Sequence, residues 1–472
     1  MIEYQKLFID GQWIPSQSQE HSLVIDPATE QAVAKIISGD IEDVNRAVSA
    51  AKKAQKSWGK TTGAERAVFL KAAVEKLKER EQELAELISL ELGMPQHLSL
   101  DIQVKSPIEG AESYIKYAHL MDETEQLGNS VIVKEPIGVC ALICPWNYPL
   151  HQLIGKIAPA IAAGCTMIVK PSVEAPLSAF VLAEIFAEIG LPAGVFNLVT
   201  GPGRKIGDAM CTHPDIDMIS FTGSNQTGIS VVKAASESVK RVCQELGGKS
   251  AFVITEDADI AAAVQYGIED IMCNSGQTCT ALSRMLVPKS RYEQAIKLAK
   301  NVAESLTIGS PLSSKSYLGP MVSKQQQQTV LAYIQQGLDE GARLVTGGLD
   351  KPTGLAQGYY VKPTIFADVD NNMRIAQEEI FGPVLCMIPY DDIDHAITIA
   401  NDTIFGLSSA VWAGDEKQGM TIAKQLEAGQ VFINGAAFNY YAPFGGYKQS
   451  GNGREWGVEG LSEFIEIKAI QV

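Results

Sequence analysis

The chain has 472 residues, of which 46% are hydrophobic and 20% charged. This length is too great for a single hydrophobic core, and the composition is typical of an ordinary globular protein with two or three domains. The formal charge of −16 argues against nucleic acid as a partner, because a phosphate backbone requires a basic surface.

The cysteines and the N-terminus indicate a cytoplasmic protein. None of the eight cysteines belongs to a C-x-x-C pair, and no Cys/His cluster has zinc spacing, so no metal site is expected. Most of them, such as Cys140, lie in apolar runs typical of reduced, buried thiols. The first residues lack the apolar segment of a signal peptide.

The first long element is predicted over residues 64–92. Leu70, Leu77, Leu84 and Ile88 contribute to an apolar stripe between charged positions. This spacing predicts one amphipathic helix, which Gly93 ends.

From residue 139 onward, short apolar runs alternate with helical segments. Strands are predicted at 139–144, 166–169, 195–199 and 218–221, and helices at 151–163, 177–189 and 204–211. The uncharged stretch 136–155 is long enough to raise the question of a membrane span. Pro145 and Pro149 interrupt it, so we interpret it as strand, loop and buried helix, with no membrane contact. The alternation is the signature of a doubly wound α/β sheet.

The same pattern begins again after Gly248. A strand at 251–254, a helix at 258–273 and a strand at 285–287 predict a second α/β domain, joined to the first near Gly247 and Gly248. Segments 131–134 and 464–472 read as edge strands that need a partner.

A cysteine and a glutamate supply the chemistry that the sequence suggests. Cys279 stands in a polar loop, which suits a reactive thiol, although a buried structural cysteine fits the local sequence as well. Glu245 lies in an apolar setting that would raise its pKa and suit a base working near neutral pH. Together they could form and then hydrolyse an acyl-thiol intermediate.

Five motifs, in their order along the chain, resemble those of the NAD(P)-dependent aldehyde dehydrogenase superfamily. They are Pro145-Trp146-Asn147-Tyr148-Pro149, Lys170-Pro171-Ser172, Glu245-Leu246-Gly247-Gly248-Lys249, Asn274-Ser275-Gly276-Gln277-Thr278-Cys279 and Glu379-Ile380-Phe381-Gly382-Pro383. The resemblance extends from Phe8-Ile9-Asp10-Gly11 to Pro443-Phe444-Gly445-Gly446-Tyr447-Lys448 and so covers nearly the whole chain.

The resemblance implies a fold and an assembly. The expected fold is α/β, with two doubly wound α/β domains and a small β oligomerisation arm. The cofactor-binding domain would comprise residues 1–115 and 137–247, the catalytic domain 248–448, and the arm 116–136 and 449–472. A homodimer or homotetramer is expected.

The resemblance also implies the site residues. The catalytic set would be Cys279, Glu245, Asn147 and Lys170. Cys279 would attack the aldehyde, Asn147 would hold the oxyanion with the Cys279 N–H, and Glu245 would activate the water that hydrolyses the thioester. The cofactor would contact Ile143, Pro145, Trp146, Lys170 (at the adenosine ribose), Ser172, Val173, Gly203, Gly207, Phe221, Thr222, Gly223, Ser224 (at the pyrophosphate), Thr227, Leu246, Glu379 (at the nicotinamide ribose) and Phe381.

One cofactor position departs from a common pattern of this superfamily. Three residues after Lys170, many NAD-preferring relatives carry a glutamate that grips the ribose hydroxyls, whereas this chain has Val173, followed by Glu174. We therefore expect NAD or NADP as the cofactor and no strict preference for NAD.

The pocket wall indicates the kind of aldehyde. By the resemblance it comprises Tyr148, Gln152, Phe438 and Phe444, to which Tyr440 and Tyr441 could add. Aromatic walls favour an apolar or aromatic aldehyde. No Arg or Lys next to the motifs could bind a second carboxylate, which ranks semialdehydes of dicarboxylic acids lower.

The predicted activity is therefore the irreversible NAD(P)-dependent oxidation of an aldehyde to a carboxylic acid. A CoA-acylating aldehyde dehydrogenase is an alternative that Glu245 disfavours, and a semialdehyde dehydrogenase is a second. A cysteine hydrolase would need a histidine beside one of the motifs. A binding protein without activity would have no need of Cys279, Glu245 and Asn147 together.

Overall fold

The computed structural model describes residues 1–472. Its strands, in chain order, are β1 Ile2–Tyr4, β2 Leu7–Ile9, β3 Gln12–Ile14, β4 His21–Asp26, β5 Gln31–Ile37, β6 Glu125–Leu127, β7 Ser130–Pro136, β8 Val139–Ile143, β9 Thr166–Lys170, β10 Phe196–Leu198, β11 Met218–Thr222, β12 Arg241–Glu245, β13 Ala251–Ile254, β14 Arg284–Pro288, β15 Arg343–Thr346, β16 Thr364–Ala367, β17 Val384–Tyr390, β18 Ser408–Trp412, β19 Gln430–Ile433, β20 Gly451–Asn452 and β21 Ile465–Gln471.

The α-helices are α1 Ile41–Trp58, α2 Gly63–Glu79, α3 Glu81–Leu92, α4 Gln96–Leu98, α5 Ser106–Tyr117, α6 Pro149–Ala163, α7 Leu177–Glu188, α8 Asp208–Thr212, α9 Asn225–Ala235, α10 Ile260–Met272, α11 Tyr292–Ser305, α12 Lys324–Asp339, α13 Arg374–Gln377, α14 Ile393–Asn401, α15 Glu416–Ala423 and α16 Gly457–Ser462. Ser99–Lys105 and Gly203–Gly207 form wider π-helical turns. No helix combines the length and the apolar character needed to cross a bilayer.

Two large sheets confirm the expected α/β class. The first has the order β20-β12-β11-β8-β9-β10-β2-β3, and its five central strands are parallel. The second has the order β15-β16-β17-β14-β13-β18-β19 and is parallel except at β15. Apolar cores cover both faces of each sheet, as parallel strands buried on both faces require.

The strand order of the first sheet determines where a ligand can bind. The chain proceeds from β8 to β9 and β10 in one direction, and then returns to place β11 on the other side of β8. The connections leave β8 and β11 in opposite directions, which opens a crevice at the carboxyl ends of these two strands.

The two segments predicted as unpaired edges form a small separate sheet. β21 pairs antiparallel with β7 along its whole length, and β7 pairs with β6. β20 and α16, by contrast, pack on the first sheet and on α6. The domain boundaries proposed from the sequence stay predictions.

The single helix predicted over residues 64–92 is wrong, because the structure has two helices with a break at Arg80. Arg80 has φ −108° and ψ 16°, outside the helical region. Its guanidinium pairs with Glu83 and with Glu184 of α7. The break turns α3 toward α7, and no Gly or Pro marks it in the sequence. The helix predicted at 204–211 is likewise divided into the turn Gly203–Gly207 and α8.

Candidate active site

A cleft of about 280 Å³ opens at the predicted crevice. It lies between the carboxyl ends of the first sheet's strands and the loops that precede β14 and β17 of the second sheet. Its lining consists of Pro145, Trp146, Asn147, Thr222, Gly223, Ser224, Leu246, Gly247, Cys279, Gln326, Thr329, Glu379, Ile380 and Phe381. The cleft therefore brings together residues from four of the five sequence motifs.

The Gly247-Gly248 pair allows the two sheets to meet closely at this cleft. A Cβ on Gly247 would come within 2.5 Å of Glu379 Oε2, and one on Gly248 within 2.5 Å of the Cys279 carbonyl oxygen. The Gly248 N–H donates to Glu379 Oε1 at 3.0 Å. Side chains at either glycine would push the Cys279 loop and Glu379 away from the first sheet.

The loop that carries Cys279 has an unusual backbone. Asn274, Ser275 and Gly276 have consecutive positive φ values of 51°, 54° and 73°, a conformation that costs roughly 1–3 kcal/mol per non-glycine residue. Buried hydrogen bonds compensate for this cost: Ser275 Oγ donates to Gly319 O at 2.8 Å, and Val322 N donates to Gln277 Oε1 at 2.9 Å. The loop is thus fixed before any substrate binds.

Asn147 is locked to the same loop. Its Nδ2 donates to Gln277 O at 3.1 Å, and its own carbonyl oxygen accepts from Asn274 Nδ2 and Gln103 Nε2, each at 3.0 Å. The side chain is 3% exposed and lines the cleft with Cys279. One N–H of the amide is used to hold the loop, and the other is left to donate to a ligand.

Cys279 is partly exposed at the cleft. Burial raises the pKa of its thiol, and the negative charges of Glu379 and Glu245 raise it further. The thiol is therefore protonated at neutral pH in the free protein.

Glu245 ends β12 and is 2% exposed, and neither carboxylate oxygen has a hydrogen-bond partner. Burial and the nearby Glu455 raise its pKa well above the usual value, while the charges of Lys156 and Arg454 oppose this. Glu245 is not part of the cleft lining. Instead its Oε1 would lie 2.7 Å from a Cβ on Gly445, beside the last motif.

A buried ion pair beneath the site was not identified from the sequence. Lys156 and Glu455 are 0% and 4% exposed and form a salt bridge, and Lys156 Nζ also donates to Thr222 Oγ1 at 2.6 Å. Lys156 is the only lysine or acidic residue within the apolar helix α6. This isolated charge was the signal in the sequence that could have indicated a buried ion pair.

The predicted pyrophosphate contact lies at a helix N-terminus. Ser224 is the N-cap of α9 and accepts a hydrogen bond from Thr227 N at 3.3 Å. Gly223 follows β11, and a Cβ there would meet the Phe221 ring at 2.5 Å. The free N–H groups of the first turn of α9 are suited to an anion.

Glu379 and Phe381 lie on the opposite wall of the cleft. Burial raises the pKa of Glu379 to about 7. Phe381 has φ 57°, and its ring packs edge-on against Trp146 at 5.4 Å. Gln326, which sequence reasoning missed, donates to Phe381 O at 2.9 Å and so holds this strained backbone in place.

Other predicted cofactor contacts lie outside this cleft. Lys170 ends β9, is 4% exposed, and donates to Pro171 O at 2.8 Å. Ser172 donates to the carboxylate of Glu174, and Val173 beside it is partly exposed. The other predicted cofactor residues that do not belong to the cleft lining are Ile143, Gly203, Gly207, Phe221 and Thr227.

The predicted substrate wall begins directly beside the Cys279 loop. Tyr148 OH and Thr278 Oγ1 are hydrogen-bonded at 2.8 Å. The Phe438 ring lies 5.9 Å from that of Phe444 and 4.7 Å from that of Tyr440. The further members are Gln152, which is 5% exposed and has an unpartnered Oε1, and Tyr441, which is 52% exposed.

The chain is similar throughout its length to known proteins. The model of the aldehyde dehydrogenase family matches residues 13–470. A 3-succinoylsemialdehyde-pyridine dehydrogenase of a Pseudomonas species is 46% identical over 100% of this chain and 99% of its own length.

Solved structures show the same similarity. A cysteine-to-alanine mutant of aldehyde dehydrogenase C from Pseudomonas syringae, in complex with NAD+ and octanal, has a TM-score of 0.96 and 47% identity over 99% of this chain and 96% of its own. The aldehyde dehydrogenase of Mycobacterium tuberculosis with NAD+ has a TM-score of 0.97 and 42% identity over 100% and 98%.

Proposed function

The chain belongs to the aldehyde dehydrogenase family, and we propose that it oxidises uncharged apolar or aromatic aldehydes through a thioester on Cys279. The overall reaction is the NAD(P)-dependent oxidation of an aldehyde to a carboxylic acid. The proposal concerns the residues that carry out the steps and the class of aldehyde.

The geometry fits a dinucleotide. The first turn of α9 and Ser224 would hold its pyrophosphate, Glu379 would accept hydrogen bonds from the nicotinamide ribose, and Phe381 would pack beside the nicotinamide. Lys170 would reach the adenosine ribose. The bound cofactor supplies a hydride acceptor.

In the first chemical step Cys279 forms a bond to the aldehyde carbon. The thiol proton passes to solvent water, the π bond of the carbonyl opens, and the carbonyl oxygen of the aldehyde gains the negative charge. The free N–H of the Asn147 amide and the Cys279 backbone N–H stabilise that oxygen. One such donor is worth about 3 kcal/mol of barrier.

Collapse of this thiohemiacetal restores the C=O bond, and the hydrogen on carbon leaves as a hydride. A thioester remains on Cys279. Glu245 then takes a proton from a water molecule, whose oxygen attacks the thioester. The C–S bond breaks, the leaving sulfur takes up the proton held by Glu245, and the carboxylic acid is released from the regenerated Cys279 thiol.

The observation that carries the proposal is the bond between Asn147 Nδ2 and Gln277 O. It ties the oxyanion donor to the loop of the nucleophile and leaves both at the same cleft as Glu379 and Ser224. The test is absorbance at 340 nm when aldehydes are added with NAD or NADP. Absence of NAD(P)H with every aldehyde would overturn the proposal.

The substrate class is inferred from the aromatic wall of Phe438, Phe444 and Tyr148. The related proteins are consistent with this class, since octanal is bound by one of them and another is named for a pyridine-bearing semialdehyde. A panel of alkanals, aromatic aldehydes and acidic semialdehydes should show the lowest kcat/KM for the acidic group.

A CoA-acylating reaction is not favoured, because a thiol acceptor would not need a buried base such as Glu245. The product formed in the presence of CoA distinguishes the two reactions. We expect the free acid and no acyl-CoA.

Replacing Val173 with glutamate should shift the cofactor preference toward NAD. The new carboxylate can accept hydrogen bonds from the ribose hydroxyls and would repel the 2′-phosphate of NADP. Such repulsion costs roughly 1–3 kcal/mol, or about one to two decades in relative kcat/KM. The wild type should use NADP at a measurable rate. Steady-state kinetics with both cofactors measure the ratio of kcat/KM for NAD to kcat/KM for NADP.

Val173→Leu is the matched control, because it changes size without charge. Glu174 is held by Ser172 next to this position. An unchanged ratio in Val173→Glu, or a wild type inactive with NADP, would mean that Glu174 already excludes the phosphate or that residue 173 lies away from the ribose.

We also infer that the small sheet mediates assembly into a homodimer or homotetramer. β21 forms its edge, and Ile467 and Ile470 on that strand are 70% and 44% exposed. Apolar side chains on an open strand edge favour pairing with another chain. A cytoplasmic location is proposed as well, because the eight cysteines are free thiols.

Ile467→Asp should weaken this assembly, because a charge would be buried at the contact. Light scattering after size-exclusion chromatography should give the wild type a mass of two or four chains of 50.8 kDa and the variant a smaller one. Leu312→Asp, at a position 71% exposed and outside the small sheet, should behave like the wild type. A monomeric wild type would contradict the inference.

A further inference from the structure

His151 is a residue of the first turn of α6 that none of the steps above uses. It lies between Tyr148 and Gln152 in the sequence, two members of the predicted substrate wall. Its position in the chain therefore places the imidazole next to that wall.

Four aromatic rings surround the imidazole. The ring centres of Tyr148 and Phe438 each lie 6.2 Å from that of His151, and those of Tyr440 and Trp456 lie 5.7 Å and 5.1 Å away. Such an enclosure is apolar, which suits a hydrocarbon side chain better than an imidazole.

Neither nitrogen of the imidazole has a hydrogen-bond partner within the protein. Nδ1 is buried without a hydrogen bond, although the residue as a whole keeps some exposed surface. Because no acceptor faces Nδ1, the neutral ring carries its proton on Nε2, the nitrogen that is not fully enclosed and that makes no hydrogen bond within the protein.

The imidazole is a neutral group at any pH at which the enzyme would work. Burial lowers the pKa of His151 to about 3, and the charge of Lys156 adds to this effect. A neutral imidazole carries one N–H donor and one acceptor nitrogen. It can therefore recognise a polar group without demanding a charged one.

His151 is also close to the reacting centre. Tyr148, which contacts its ring, is hydrogen-bonded to Thr278, the residue before Cys279. One aromatic ring thus separates the imidazole from the Cys279 loop, a spacing that would place it beside the body of a bound aldehyde and away from the aldehyde carbon.

We propose that His151 is a specificity-determining residue whose imidazole N–H binds an acceptor atom on the body of the aldehyde. The preferred substrates are then flat aldehydes that carry a heteroaromatic nitrogen or a second carbonyl oxygen, rather than hydrocarbons of the same shape. This inference rests on the proposed function, because it assumes that Tyr148 and Phe438 line the aldehyde site.

The selectivity follows from the Nε2–H donor, which has no partner within the protein. A hydrocarbon aldehyde would leave the imidazole N–H without a partner, whereas an acceptor-bearing aldehyde would satisfy it. The expected preference is about tenfold in kcat/KM, the usual value of one hydrogen bond to a neutral group.

The test compares 3-phenylpropanal with the three isomeric 3-(pyridinyl)propanals, which have the same shape and differ in one acceptor nitrogen. For each enzyme, kcat/KM of each pyridinyl isomer is divided by that of the phenyl aldehyde. Comparing this ratio between enzymes cancels the intrinsic reactivity of the aldehydes. The enzymes are the wild type, His151→Phe, which keeps a ring, His151→Asn, which keeps an N–H donor, and His119→Phe at an exposed histidine as the control.

We expect at least one pyridinyl isomer to be preferred about tenfold by the wild type and by His119→Phe. The preference should disappear in His151→Phe and return in part in His151→Asn. A wild type without a preference, or a preference retained in His151→Phe, would overturn the inference while leaving the aldehyde oxidation intact. Absence of activity with all four aldehydes and with octanal would overturn the proposed function itself.

Discussion

Cys279→Ala is expected to abolish aldehyde oxidation while leaving cofactor binding nearly unchanged. The thiol forms the bond to the aldehyde carbon, whereas the cofactor contacts come from Ser224, Glu379 and Phe381. Loss of a nucleophile commonly lowers turnover by several orders of magnitude. Steady-state NAD(P)H production measures the loss, and titration of the protein with NAD measures cofactor binding.

Cys273→Ala is the matched control, because Cys273 is also partly exposed and lies six positions earlier on the same loop. It should keep activity close to that of the wild type. Retention of more than about a tenth of the wild-type rate by Cys279→Ala would remove Cys279 as the nucleophile. An alkylating aldehyde analogue should label Cys279 well ahead of the seven other cysteines.

Glu245→Gln should stop the reaction after the hydride has left. The amide cannot take a proton from water, so the thioester would accumulate while the first turnover proceeds. Rapid mixing should show a burst of NAD(P)H near one equivalent per active site, followed by a steady state at least about a hundredfold slower, since general bases contribute roughly 10²–10⁴-fold.

Glu91→Gln serves as the control for this substitution. Glu91 is fully buried, and burial raises its pKa well above the usual value, as at Glu245. Unlike Glu245, its carboxylate accepts a hydrogen bond from the Leu177 N–H, and it does not touch the cleft. This variant should show wild-type steady-state kinetics without a burst. If Glu245→Gln behaved in the same way, another group would have to activate the water.

The sequence predicted four of the eight strands of the first sheet, β8 to β11, and the loops that follow them with small errors, and it did not predict β2, β3, β12 and β20. Apolar runs such as 218–221 are fully buried in the structure, and the loops that follow them are fixed by residues with strong local preferences. Ser224 is an N-cap, and Gly247 and Gly248 stand where a Cβ would meet Glu379 and Cys279. In each case the type of residue in the sequence indicated the structural requirement at that position.

The features that the sequence did not reveal depend on contacts between distant segments. The break at Arg80 exists because its guanidinium reaches Glu184 of another helix. Lys156 is charged inside an apolar helix because Glu455, 299 positions away, pairs with it. Gln326 supports Phe381 through a backbone carbonyl. Local propensity carries no information about partners so far apart in the chain.

Cys279 and Glu245 are both proposed to act on one species, an acyl thioester. This thioester should form on Cys279 and should persist when Glu245 is replaced. Intact-protein mass spectrometry of Glu245→Gln, mixed with octanal and NAD and quenched in acid within the burst, tests both at once. The account predicts an adduct on Cys279 with the mass of the aldehyde less two hydrogens, and no such adduct when NAD is omitted. NADH formed in the burst with no adduct on Cys279 would contradict it.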